Sequence, residues 1–454
     1  MAFACPVKAD RNRPWFSSVT MRPSSALEGN GPILGRLATS ATAVLLLQGP
    51  SSESDQTGSS CRQSTSGRSA LASRTISLRN ALLAGGCVFP WKRFQVRTSR
   101  RSTVLPMRIV LSDPAAFTPA YDHELAAALA AHGLDVELVT SRFRFGETPV
   151  PVGYRRSEPF YPLSSRLFRR SPFRIPLKLA EHVPGTAALL RRPADVLHLQ
   201  WLAAPELDRF LLRARVPTVF TAHDLVPRRT ARKQGLWREL LSRFDRVVVH
   251  SERGRQTLGE LGVDAWVIPH PVFRSEPPRA DDGRTLLCIG TIRPYKGLGD
   301  AIVAAKQIDG VRLLVAGDPL EPLNGYRAQA GELAEWRLGY LPQDELERAL
   351  GEATVALFPY RPELDQSGAL LQALGAGVPA IAYDVGGIAE PVRQFGAGRV
   401  VPPDDVAALA AAARELLDDP AALEAARAGA RRARDTLTWD AAAEAHVALY
   451  RELA

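Results

Sequence analysis

Cysteine is scarce in this chain: of 4 among 454 residues, Cys5, Cys61 and Cys87 precede residue 107 and only Cys288 follows it. A lone cysteine can neither close a disulfide nor build a thiolate metal site, which excludes a disulfide scaffold and points to a reducing, cytoplasmic setting. Long apolar runs are missing too. Ala41 to Leu47 is the nearest approach and is far too short to cross a bilayer. The net charge of +9 is not spread along the chain, because residues 1–106 hold 14 Lys or Arg against 4 Asp or Glu, leaving residues 107–454 at −1. A near-neutral body provides no general field for a polyanion, so nucleic acid is not an expected partner. Several signatures are absent as well: a Gly-x-Ser-x-Gly nucleophile turn, a Gly-x-x-x-x-Gly-Lys-Ser/Thr phosphate loop, and His or Cys at metal spacing. No Gly-x-Gly-x-x-Gly fingerprint follows either first strand, where Asp113 to Pro119 and Thr291 to Pro294 stand instead, and this argues against a dehydrogenase.

What remains is a long chain of ordinary soluble composition, 46% hydrophobic and 23% charged. Single cores stop growing at roughly 250–300 residues, so two folded domains are expected. Residues 1–106 have a different texture, with Ser-rich and Arg-rich runs such as Ser51–Ser60 and Arg97–Ser102 and no sustained periodicity. They read as a disordered or non-native extension, either a transit peptide or translated sequence upstream of a start at Met107.

From Met107 the pattern becomes an alternation of buried strands and helices. Arg108–Ser112, Asp135–Val139, Val196–Gln200, Thr218–Ala222, Arg246–His250 and Trp266–Ile268 read as strands, with a first helix over Asp122–His132. Val272–Arg284, rich in Pro, Asp and Gly, reads as a linker. A second alternation follows, with strands at Thr285–Ile289, Val311–Ala316, Val355–Phe358, Ala380–Tyr383 and Arg399–Val401. The expected class is α/β: two Rossmann-like doubly wound domains, at 107–272 and 273–435, facing a central cleft. A C-terminal helix over 436–454 would pack back on the first. Ligands in such sheets bind beyond the carboxyl ends of the strands.

The chemistry concentrates after the second set of strands. Gly290-Thr-Ile-Arg-Pro-Tyr-Lys-Gly297 places Arg293 and Lys296 at a strand's carboxyl end, either as a phosphate seat or as solvated loop charges. Gln366-Ser-Gly-Ala-Leu-Leu-Gln-Ala-Leu-Gly-Ala-Gly-Val-Pro379 offers a helix that Ser367 caps, with Gly368 letting a ligand approach amides that the helix start leaves unpaired. A third glycine element, Val385-Gly-Gly-Ile-Ala-Glu390, again follows a strand.

Taken in order with Leu313–Gly317, Gly339-Tyr340-Leu341 and Phe358-Pro-Tyr360, these elements resemble the family 4 glycosyltransferases, which are retaining, nucleotide-sugar-dependent and of the GT-B fold. The first half resembles the family more loosely, through Tyr121–Ala126, Thr221–Asp224 and Ile268–Pro271. The resemblance implies a nucleoside diphosphate sugar in the second domain, with Arg293, Lys296 and the amides at Ser367 and Gly368 on the diphosphate. It carries Gly290, Thr291, Gly317, Tyr340, Leu341 and Ala369 into the donor pocket, sets Gln372 on the ribose and brings His223 near the transferred sugar. No cofactor and no metal ion is implied. Where many relatives have two glutamates eight positions apart, this chain has Leu364 and Gln372, so Glu363 or Asp365 takes the first carboxylate's place. Gly290-Thr291 replaces a Gly-Arg pair, and Thr118-Pro119-Ala120 stands where a Gly-Gly loop is common.

Tyr154–Arg192 holds 9 Lys or Arg against Glu158 and Glu181, interleaved with Tyr154, Phe160, Tyr161, Phe168 and Phe173. It reads either as a patch lying on anionic lipid or as a solvated loop. The expected activity is transfer of a sugar to a hydroxyl of a glycan, lipid-linked or small-molecule acceptor. A nucleotide-sugar epimerase and a catalytically silent sugar-nucleotide binder remain as alternatives.

Overall fold

A computed structural model describes residues 106–166, 173–225, 233–361 and 366–454. The first sheet holds β1 (Arg108–Asp113), β2 (Asp135–Ser141), β3 (Arg155–Phe160), β4 (Val196–Leu199), β5 (Thr218–Thr221), β6 (Arg246–Val249) and β7 (Trp266–Val267). The second holds β8 (Thr285–Ile289), β9 (Arg312–Gly317), β10 (Ala334–Leu338), β11 (Val355–Phe358), β12 (Ala380–Tyr383) and β13 (Gly398–Val401). All pairings within them are parallel, in the orders β3-β2-β1-β4-β5-β6-β7 and β10-β9-β8-β11-β12-β13. Strands such as Val110-Leu111 and Leu286-Leu287 are apolar on both faces because helices cover both sides of each sheet. The order reverses between β1 and β4 and between β8 and β11, and a crevice opens at such reversals.

The first domain's helices are α1 (Pro119–Ala131), α2 (Arg174–Leu190), α3 (Pro205–Leu211), α4 (Gln234–Leu241) and α5 (Glu252–Glu260). The second's are α6 (Leu298–Ala305), α7 (Asn324–Ala330), α8 (Gln343–Glu352), α9 (Gly368–Gly375), α10 (Ala389–Phe395), α11 (Val406–Asp418) and α12 (Pro420–Thr436). The chain then returns, and α13 (Trp439–Leu453) buries Ala443, Val447 and Tyr450 against Leu125 and Leu129 of α1. The Tyr450 hydroxyl meets His198 Nδ1 at 2.6 Å, fixing this helix to β4. The two passages between the domains run side by side: the Val272 amide donates to the Leu437 carbonyl at 2.9 Å, and Phe273 packs on Trp439.

The stretch 154–192 is corrected by the structure, since it is not a loop. It contains β3 and α2, and Tyr154, Phe160 and Tyr161 are buried in the first domain. Phe168 lies outside the described residues. The strands β3 and β10 had no apolar signature because each sits at a sheet edge, where charge is tolerated and protects against further pairing. Within β10, Arg337 and Glu335 belong to an ion-pair network with Arg312 and Glu352. Among the described residues no helix is long and apolar enough to cross a membrane.

Candidate functional site

The second domain builds its site at the carboxyl end of β8. Gly290, next after β8, has φ 97°, and a Cβ there would stand 3.1 Å from Lys296 Nζ and 3.3 Å from the Ala369 Cβ. Three segments therefore converge on one spot: the turn after β8, the ammonium of Lys296, and the first turn of α9. Gly317 closes the spot from the side of β9. With φ 153° and the Gly290 carbonyl where its own Cβ would lie, it admits no side chain. Gly297 is constrained in the same way, at φ 65° against the Pro359 carbonyl, which turns the chain so that Lys296 points back over the sheet.

Lys296 Nζ stands 5.1 Å from the centroid of Tyr360, a fully buried ring whose face attracts the cation. Ser367 Oγ donates to the Tyr360 hydroxyl at 3.3 Å and accepts from the Leu370 amide at 3.2 Å, capping α9 as expected of a serine there. Gly368 is exposed and Ala369 half-buried, so the first turn of α9 faces an accessible space with its dipole's positive end. Burial pushes the Tyr360 phenol up, beyond any physiological titration. Arg293 is exposed and, among the described residues, has no ion-pair partner. Gln372 is half-buried, and its side-chain amide makes no hydrogen bond to the described protein. Thr291 is exposed at the rim. Leu341 packs on the second core, while Tyr340 is 57% exposed and lies against Phe143 and Gly146 of the first domain. Glu363 and Asp365 lie outside the described residues.

The first domain contributes a cluster of histidines and aromatic rings at the carboxyl ends of β4, β5 and β6. His223 stacks on Trp201 at 5.2 Å and 16°, and its Nδ1 is 3.2 Å from His250 Nε2. His250 Nδ1 faces the Ile268 carbonyl at 2.9 Å and so carries the proton, which makes its Nε2 an acceptor. His223 Nε2 lies 3.0 Å from the Gln200 Oε1 and donates to it, since an amide oxygen only accepts. His198 Nε2 accepts from the Gln200 side-chain Nε2 at 3.3 Å and lies 2.7 Å from the Thr221 hydroxyl, which leaves Nδ1 to donate to the Tyr450 hydroxyl. Burial, reinforced by neighbouring histidines, holds His223 and His198 well below the usual imidazole range and His270 at about 3, and burial alone, against the Ile268 carbonyl, holds His250 at about 4.

Where a Gly-Gly loop would offer amides to an anion, the structure has spent them internally. The Asp113 carboxylate accepts from the amides of Ala115, Phe117 and Thr118. Pro119 opens α1, where its missing N–H costs nothing. Asp122 lies beside Asp113, and burial raises both carboxyl groups, Asp122 further through the neighbouring Asp113 charge.

Sequence reasoning overlooked Tyr360, Gln200, Trp201 and His250 as site residues. The last three each follow a strand's carboxyl end, the signal that singled out His223. A small cavity at the carboxyl end of β8 is lined by Gly290, Thr291, Lys296 and Tyr360, and another cavity lies at the amino ends of β5 and β6 beside Arg213, Arg215 and Arg243.

Residues 121–275 match the model of Glycosyltransferase Family 4, and residues 283–419 match that of Glycosyl transferases group 1. The chain belongs to the family 4 glycosyltransferases. It is 33% identical over 197 residues to a glycogen synthase of Mycobacterium tuberculosis, a match covering 42% of this chain and 46% of that relative, so it spans less than half of that protein's length. A phosphatidyl-myo-inositol mannosyltransferase of Mycobacterium leprae is 28% identical over 323 residues, covering 65% of this chain and 85% of the relative. Among solved structures, a sucrose-phosphate synthase from Thermosynechococcus elongatus superposes with a TM-score of 0.62 at 21% identity, over 76% of this chain and 99% of that one. The two parallel-sheet domains are therefore those of the GT-B fold.

Proposed function

We propose that this chain is a retaining glycosyltransferase that moves a sugar from a nucleoside diphosphate sugar to a hydroxyl on a glycan, lipid-linked or small-molecule acceptor. The observation that carries it is the convergence of Lys296, the Gly290 turn and the open first turn of α9 on one spot. As the bond from sugar to phosphate breaks, negative charge grows on the leaving diphosphate. A fixed ammonium, the Arg293 guanidinium and helix-end amides stabilise that charge without reorganising. Gln372, whose amide has no protein partner among the described residues, supports a ribose contact, and half-buried His223, just after β5, supports a place close to the transferred sugar. A carboxylate from Glu363 or Asp365 would complete the set.

Peripheral contact with an anionic membrane belongs to the same proposal. On α2, Ile175, Leu179 and Val183 fall four residues apart and are 71%, 45% and 45% exposed, with Phe173 at 74% just before the helix. An apolar stripe of this kind suits the boundary between headgroups and acyl chains. The test of the enzymatic reading is a thermal-shift screen of UDP, GDP and ADP sugars, followed by nucleoside diphosphate release with and without acceptor. Release that depends on acceptor supports transfer. Conversion of the donor alone would indicate an epimerase, and binding without turnover a silent binder.

A further inference from the structure

The two domains also meet where no bond to sugar or nucleotide is needed. Glu390, in the first turn of α10, extends its carboxylate onto the start of α5 in the other domain. Oε1 accepts from the Arg253 amide at 2.9 Å and Oε2 from the Glu252 amide at 3.1 Å. These are amides that a helix start leaves without intrahelical partners, and a carboxylate placed there also gains from the helix dipole. The next amide, of Gly254, is taken by Ser251 Oγ at 2.8 Å. Beside this contact, Gly387 approaches so closely that a Cβ would lie 2.5 Å from the Ser251 Cβ and 2.5 Å from the Gln366 amide nitrogen. Its φ is not left-handed, so the glycine answers a demand for space rather than for backbone freedom.

The contact links the two halves of the site. Ser251 directly follows His250, whose Nε2 lies 3.2 Å from His223 Nδ1, while Gln366 directly precedes Ser367, the cap of the donor helix. Fixing Ser251 against Gly387 and Gln366 therefore fixes the histidine relay relative to the end of α9. The carboxylate bonds to Glu252 and Arg253 lie at the exposed surface, where water can replace them. The seam at Val272, Leu437, Phe273 and Trp439, where the chain passes twice between domains, is the permanent joint.

We propose that Glu390 is a positioning residue: a reversible latch that holds the Gly387 turn on the first turn of α5 and so sets His223 against the donor seat. The positioning role rests on the sugar-transfer reading; the latch does not. Hydrogen exchange of single amides tests it on the full chain. Glu390→Ala should raise exchange at Glu252 and Arg253 about tenfold or more, as expected when a charged acceptor is removed, and leave Gly254 as in wild type. Its turnover should fall about tenfold while affinity for the free nucleoside diphosphate that binds wild type changes less than about twofold. Glu390→Gln, which keeps an acceptor oxygen, should recover part of both effects. Gly387→Ala, which forces the same surfaces apart, should reproduce the exchange result with Glu390 intact. Unchanged exchange at both amides in Glu390→Ala overturns the latch. Faster exchange with undiminished turnover, or a weakened nucleotide with unchanged turnover, overturns the positioning role. If wild type transfers no sugar, that role falls with the transferase reading, and the exchange comparison still decides the latch.

Discussion

His223 Nδ1 lies 3.2 Å from His250 Nε2, inside a group of imidazoles that burial holds neutral. That neutrality has a cost in acid. The unfolded chain takes up protons as pH falls through the ordinary imidazole value of 6.5, whereas the folded chain refuses them until about 4 at His250 and His446 and about 3 at His270. The unfolded state binds more protons in that window, so stability falls as pH drops through it. Asp113 and Asp122 act in the opposite sense, since their raised values favour the folded state at low pH and lose that contribution as pH rises. The histidines outnumber them: His198, His223, His250, His270 and His446 are all depressed.

Denaturant titrations should therefore show lower stability at about pH 5 than at about pH 7. His446, buried and without a partner at Nε2 among the described residues, is the clearest probe of this. His446→Leu should remove about 2 kcal/mol of the difference between those pH values. An identical difference in wild type and His446→Leu would show that the buried imidazoles do not set the acid limit.

Lys296 sits between the Tyr360 ring and the Gly290 turn, where its charge is held ready for a diphosphate. Lys296→Ala should cut turnover on the order of a hundredfold, because the interaction grows as the leaving group gains charge. Arg293→Ala, at an exposed position, should cost less. If the diphosphate seat is this cation pair with helix amides, activity should survive EDTA. Abolition by EDTA with rescue by manganese would assign the charge stabilisation to an ion instead.

Most of the fold was legible because buried parallel strands announce themselves. Leu286-Leu287 and Val247-Val248 can be nothing but core, and the elements found there match the expected strands to within a residue or two. The edges were not legible, since β3 and β10 present arginine and glutamate to water and differ little from loop in composition. The donor side could be read because its glycines are demanded by local geometry, as at Gly317 against the Gly290 carbonyl. The histidine relay could not. His198 and Gln200 come from β4 and its end, His223 from the end of β5 and His250 from the end of β6, and only the order β4-β5-β6 brings them together.

The stripe on α2 makes a prediction independent of catalysis. The protein should co-sediment with phosphatidylserine-containing vesicles and detach as salt rises, because screening shortens the reach of surface charge. Leu179→Glu, which places a carboxylate in the middle of the stripe, should abolish the association without lowering stability. Equal recovery with neutral and anionic vesicles would remove the membrane from the proposal.

The missing pair of glutamates on the donor helix does not by itself imply a dead enzyme. Gln372 lies five residues after Ser367, on α9, and its unengaged amide can both donate to and accept from a hydroxyl. It can therefore take over a glutamate's part in holding a ribose. A ribose is remote from the bond that breaks, so this contact contributes about equally before and at the transition state. Gln372→Ala should accordingly raise the donor's KM and leave kcat near wild type. A carboxylate that touches the moving sugar acts differently, and replacing Glu363 or Asp365, whichever fills that role, should lower kcat itself. Wild-type kinetics in Gln372→Ala and in both carboxylate variants would show that this helix does not hold the donor, and would move the search for the binding site away from α9.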